Sequence, residues 1–126
     1  MSLWRDVLFI SLGAALGANL RFAVNRLALK YLSPALPYGT LIVNVTGSFI
    51  LGVIMGLLDA HVLAPAVRLS LGIGFVGAYT TFSTFTYETL RLVESGSVLL
   101  AATNVVGSVI VGMLAAIAGL AAGRAL

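Results

Sequence analysis

The chain has 126 residues, of which 60% are hydrophobic and only 9% charged, with a formal net charge of +3 and no cysteine. A soluble domain carries about 25% charged residues, so this composition belongs to an integral membrane protein. The lack of cysteine excludes disulfides, thiolate metal sites and cysteine nucleophiles. The basic residues stand singly rather than in the patch that nucleic acid requires, so nucleic acid is not an expected partner.

Four charge-free runs locate the spans: residues 7–20, 31–58, 69–87 and 95–123. A span takes about 20 mostly apolar residues, and the first run continues past Arg21 towards Leu32. Little sequence remains for loops. Residues 1–126 therefore read as one all-α domain of four transmembrane helices in a multi-pass protein of the cell membrane.

The first span, residues 5–32, opens with Arg5, an apolar run and the small residues Gly13-Ala14-Ala15-Leu16-Gly17-Ala18. That order also fits a secretory signal. Asp6 cancels Arg5, however, and cleavage would leave the first loop without a preceding helix, so the segment is read as a span. Gly13 and Gly17 form a small-xxx-small pair that lets helices approach closely. Arg21 lies about 21 Å along the helix from Val7, where a charge costs several kcal/mol unless it snorkels, pairs or faces water. Its two readings are a snorkelling interfacial arginine and an anion-attracting charge in a vestibule. No carboxylate in the middle of a span is available to pair with it, which favours the anion.

The loop that follows is marked by Pro34, Pro37 and Tyr38. The second span, residues 39–58, contains Asn44, Thr46, Gly47 and Ser48, then a second close-packing pair, Gly52 and Gly56. His61 closes it with no second ligand nearby and reads as a solvated turn residue rather than a metal site.

The third span, residues 69–88, holds Gly72, Gly74 and Gly77. Each weakens a helix by about 1 kcal/mol, which predicts a break near Gly77. Unpaired backbone at membrane depth is tolerated only where it is buried in protein or meets water or an ion. Directly after come the hydroxyl residues Thr80, Thr81, Ser83, Thr84 and Thr86, bracketing Phe82 and Phe85. Hydroxyls in a span usually bond back to a carbonyl one turn earlier, and phenylalanines at helical spacing usually pack a core. Here hydroxyl donors and the positive edges of the rings together suit the wall of a conduit for a small anion.

The fourth span, residues 95–123, carries Asn104, Gly107, Ser108, Gly112, Gly119 and Gly123, the composition of a helix packed against protein. Asn104 is either part of the anion path or glue between helices.

Lysine and arginine bias sets orientation in a membrane. With Arg21 counted as intramembrane, Arg5, Arg68 and Arg124 fall on one side, and Arg26, Lys30 and Arg91 on the other. Such an even split gives no preferred direction, and two copies inserted oppositely would supply inverted symmetry. The alternative is a single topology decided by one loop residue or by the terminal amine. The small size of the chain favours the oppositely oriented pair.

Three motifs together carry a resemblance. They are Gly13-xxx-Gly17-Ala18-xx-Arg21-Phe22, Gly39-Thr40-Leu41-xx-Asn44-xx-Gly47-Ser48-Phe49-xx-Gly52, and Gly77-xx-Thr80-Thr81-Phe82-Ser83-Thr84-Phe85. In this order and over the whole chain, the sequence resembles the Fluc (CrcB-type) fluoride channels. The resemblance implies passive fluoride export that relieves toxicity, through an antiparallel, dual-topology homodimer with two pores. It implies pore-lining roles for Phe82 and Phe85, vestibule roles for Arg21 and Asn44, and a polar track that includes Thr81 with Ser83 or Thr84. It further implies a central sodium ion at the dimer interface, held by the backbone carbonyls of Gly77 and Thr80. The sequence departs from the family pattern at Ala78, which replaces a second glycine, at Asn104, often tyrosine or histidine, and at Thr86, usually serine.

Two rival classes share the small, helix-rich design. A small proton-coupled multidrug exporter needs a titratable carboxylate within the membrane, whereas Asp6, Asp59, Glu88 and Glu94 fall at or beyond the expected span ends. A structural subunit of a larger complex fits the small-residue motifs. No nucleophile–base or metal constellation points to an enzyme.

Overall fold

The computed structural model describes residues 2–126, and among these it is helical with no strand. Three helices are long and apolar enough to cross a membrane. They are α1 (Leu3–Tyr31), α2 (Tyr38–Asp59) and α6 (Val98–Ala125). The third span is built in pieces. A short turn, α3 (Pro65–Val67), runs into a π-helical stretch, π1 (Arg68–Val76), then into the turn α4 (Gly77–Tyr79). After Thr80 and Thr81 the chain resumes as α5 (Phe82–Glu94).

Close backbone approach decides how these helices pack. Gly13 and Gly17 of α1 lie against the backbone of Ser70, Phe75 and Tyr79, so α1 and the third span run parallel. Gly52 and Gly56 of α2 face Gly119 and Gly123 of α6, and a Cβ at any of the four would overlap backbone atoms of the opposite helix. The small-residue pairs of the sequence are therefore helix–helix seams. Because the atoms in the way are backbone, Gly119→Val is expected to cost at least about 3 kcal/mol, the upper end for overpacking. Thermal unfolding of the purified protein checks this, and an unchanged midpoint would show that the seam gives way.

At one end Arg124 donates to Asp59 Oδ2 from both Nη2 (2.7 Å) and Nε (3.1 Å), joining the C-termini of α6 and α2. With α1 and the third span running opposite to α2, Arg5, Arg68 and Arg124 lie towards that end, and Arg26, Lys30 and Arg91 towards the other. The even charge split is thus a property of the folded chain.

α2 ends in a Schellman motif. His61 N–H bonds to the Leu58 carbonyl (3.1 Å) and Val62 N–H to the Leu57 carbonyl (3.0 Å), with His61 at φ 60°. Gly96 fills the same place after α5, at φ 79°. His61 is exposed and serves the turn. Replacing it with glycine removes left-handed strain and is expected to add about 1 kcal/mol, readable as a raised unfolding midpoint.

Two boundaries differ from the sequence expectation. The break falls at Thr80–Thr81 rather than near Gly77, whose φ −60° and ψ −35° are helical. Glycine weakness alone does not open the helix, because the freed backbone needs other partners, and these exist only around Thr80 and Thr81. The third span also begins at Pro65 and runs to Glu94, not Glu88. Glu88 consequently lies inside α5 and is half-buried. The expectation that all carboxylates fall at span ends fails for this residue.

Candidate functional site

The break is built around Asn44. Its Nδ2 donates to the Thr81 carbonyl (3.0 Å), and its Oδ1 accepts from the Thr81 N–H (2.8 Å). One side chain of α2 thus replaces both backbone partners that the interrupted helix withdraws from Thr81. Thr80 (ψ 161°) and Thr81 (φ −152°, ψ 118°) are extended. Thr81 then caps α5, its Oγ1 accepting from the Thr84 N–H at 3.3 Å.

The carbonyl side of the break points to Arg21, whose Nη1 donates to the Thr80 oxygen at 3.3 Å. Arg21 is half-buried. It therefore does something neither sequence reading foresaw, holding the carbonyl end of the broken helix while bringing its charge to membrane depth. With the Thr81 N–H turned to Asn44, the Gly77 carbonyl loses the donor that a continuous helix would give it. The break thus has a carbonyl end, at Gly77 and Thr80, and an amide-and-hydroxyl end at the start of α5. The helix dipole adds positive potential at that second end.

The hydroxyls divide into committed and available donors. Thr80 Oγ1 donates back to the Val76 carbonyl (3.0 Å), Thr86 to the Ser83 carbonyl (3.0 Å) and Thr81 to Thr84 Oγ1 (2.9 Å). Thr84 accepts that bond, so its own hydrogen is left to donate. Asn44 has a second Nδ2 hydrogen beyond the one given to Thr81. Ser83 is exposed. The Phe82 and Phe85 rings lie 5.9 Å apart, tilted by 39°, and Phe82 is 77% exposed. A cleft of about 240 Å³ opens beside them, lined by Asn44, Ser48, Thr80, Thr81 and Phe82 among others.

Asn104 stands apart from this cluster. It is buried on α6 and donates to Thr89 Oγ1 at 2.9 Å, while Thr89 donates to the Phe85 carbonyl at 2.8 Å. It braces the helix that carries Phe85, which is the glue role, although Ser108 one turn further along α6 has a buried hydroxyl without a hydrogen-bond partner. Sequence reasoning missed two further residues, Thr40 and Glu88. Thr40 is 2% exposed, and its Oγ1 and Glu88 Oε2 are buried near each other, with no other partner among the described residues. Both line a pocket of about 520 Å³ at the Lys30 and Arg91 end. Thr40 precedes Asn44 by one helical turn and Glu88 follows Thr84 by one, so two polar stripes lead from the break to this pocket. Spacing alone held that signal.

Fold and site together define a multi-pass, all-α membrane protein whose third span is interrupted around a polar, donor-rich centre. Residues 8–120 match the family model described as "CrcB-like protein, Camphor Resistance (CrcB)". The chain belongs to the CrcB family. It is similar to the fluoride-specific ion channel FluC of Acidobacterium capsulatum, 45% identical over 118 residues, 93% of this chain and 94% of that one. It is similar also to the FluC of Geotalea daltonii (43% over 121 residues, 95% and 98%) and of Shewanella halifaxensis (43% over 104 residues, 82% and 84%). The family is one of cell-membrane ion channels, not enzymes.

Proposed function

We propose that this protein is a fluoride-selective channel through which the ion leaves the cell passively, limiting its toxicity. The observation that carries the reading is the donor set at the break. Asn44, Arg21, Thr84 and the N-terminus of α5 all lie at the break, next to the exposed Phe82 ring and the half-buried Phe85 ring, with no carboxylate among them. The similarity to fluoride-specific channels supports the identity of the ion.

Fluoride is small and strongly hydrated, so a selective path must replace its water with donors. Arg21 raises the local anion concentration, as a charge at a low-dielectric cleft does. The free hydrogens of Asn44 and Thr84 then substitute for water. The ring edges of Phe82 and Phe85 carry only partial positive charge, enough to contact an anion without trapping it. Thr40, one turn before Asn44 on α2, leads from the break towards the pocket at the far end.

The working unit is two copies in opposite orientation. Asn19, Ser83 and the backbone of Gly77 are exposed on apolar helices, and polar groups facing lipid are costly unless satisfied by protein. A second copy laid across the break covers them. The even distribution of basic residues between the two ends supports insertion in both directions.

A central sodium ion fits the carbonyl end of the break. The Gly77 carbonyl lacks its helical donor, and the Thr80 carbonyl, though bonded to Arg21, keeps a second lone pair. These carbonyl oxygens, contributed by both copies, are hard donors suited to a monovalent cation, and the Arg21 guanidinium on the Thr80 oxygen is a nearby positive charge that such an ion has to tolerate. Such an ion would tie the two broken helices together.

Reconstituted in liposomes, the protein is expected to release fluoride, followed with a fluoride electrode, and to retain chloride. Absence of fluoride efflux from well-folded protein would overturn the reading. In the same assay Arg21→Ala is expected to lower flux by about tenfold, equivalent to about 1.4 kcal/mol. Flux equal to wild type would reduce Arg21 to an interfacial charge.

A further inference from the structure

α2 grips three consecutive residues of the third span. Asn44 holds Thr81. Gly47 lies beneath Thr80, so closely that a Cβ there would overlap Thr80 Cγ2. Thr46 holds Tyr79 through side-chain oxygens 2.9 Å apart. The first two contacts shape the break directly, whereas the third lies one residue before it.

Tyr79 is 4% exposed, and its ring stacks on Phe75 with centroids 5.9 Å apart and planes 8° from parallel. Its amide nitrogen lies against Gly17 of α1. The direction of its hydrogen bond follows from a neighbour. Thr46 commits its only hydroxyl hydrogen to the Ile42 carbonyl at 2.6 Å, so the phenol donates and Thr46 accepts. Tyr79 is thereby fixed between α1, Phe75 and α2, directly before the Thr80 carbonyl.

We infer that Tyr79 and Thr46 are a positioning pair that sets the Thr80 carbonyl, and with it the sodium affinity of the break. The inference rests on the two-copy sodium reading above. Tyr79 does not touch the ion and acts through the backbone of Thr80.

The donor direction makes the two residues unequal. Tyr79→Phe removes a donor and leaves Thr46 still bonded to Ile42. Thr46→Val removes the acceptor and leaves a phenol O–H without a partner in a buried site, the costlier loss. Thr46→Ser keeps the oxygen and is expected to behave as wild type.

The test is thermal unfolding of the detergent-purified protein, titrated with sodium chloride against N-methylglucamine chloride at constant ionic strength. An ion that binds the native state raises the midpoint in proportion to its affinity. The half-saturating sodium concentration is expected to rise about threefold in Tyr79→Phe and about tenfold in Thr46→Val. It should stay unchanged in Thr46→Ser. A pair that serves stability alone would lower the midpoint equally with and without sodium and leave the half-saturating concentration where it was, which overturns the inference. No sodium-induced rise in wild type would overturn the sodium reading and the inference with it. Should Thr46→Val fail to fold, the contrast between Tyr79→Phe and Thr46→Ser decides the matter. The flux assay is independent of all these outcomes, so the channel reading is judged separately.

Discussion

Asn44→Ala is expected to abolish fluoride flux and to destabilise the protein by about 2–6 kcal/mol. The figure follows from two backbone groups of Thr81 left without partners in a part-buried site, at about 1–3 kcal/mol each. Neither group has a helical alternative, because Thr80 and Thr81 are extended. Asn44→Asp separates the structural and transport roles. The carboxylate still accepts from the Thr81 N–H but no longer donates to its carbonyl, and it sets a negative charge in an anion path. Flux should therefore fall far more than stability. Equal flux in wild type and Asn44→Asp would show that fluoride does not pass this residue.

Phe82→Ile and Phe85→Ile are expected each to lower fluoride flux by about tenfold or more, matching the loss of about 1.4 kcal/mol at the barrier. Isoleucine has no positively charged edge to present. The structure gives the two positions different side effects. Phe82 is 77% exposed, so its replacement should leave the unfolding midpoint nearly unchanged. Phe85 is half-buried over the Thr89–Asn104 brace, and a modest loss of stability is expected there. Liposome flux beside thermal unfolding checks both. Flux undiminished in both variants would show that the rings only fill space.

Much of this was legible in the sequence because the membrane restricts what a chain can do. A run of apolar residues must become a helix that satisfies its own backbone, so charge-free stretches gave the four spans to within a few residues. Glycines four apart mark seams for the same kind of reason. Only a missing side chain lets two backbones meet, and Gly52–Gly56 against Gly119–Gly123 is that meeting. The hydroxyl run announced a polar centre, since hydroxyls are costly in hydrocarbon.

The position of the break was not legible. Helix propensity pointed to Gly77, yet Gly77 is helical and the chain opens at Thr80, because a helix opens where replacement partners exist. Those partners, Asn44 and Arg21, come from other helices, and no local pattern records which residue they will reach. The same holds for the hydroxyls. Sequence offers Thr80, Thr81, Ser83, Thr84 and Thr86 as equals, but hydrogen-bond direction commits three of them and leaves Ser83 and Thr84 free to donate. Glu88 is a parallel case, assigned to a span end by counting and drawn inside by a longer α5. By itself, then, the sequence determined the class of protein, the number of spans and the residues from which a site could be made. The tertiary structure alone decided which of them act, because a hydrogen-bond donor at membrane depth is available only if no neighbouring helix has already claimed it.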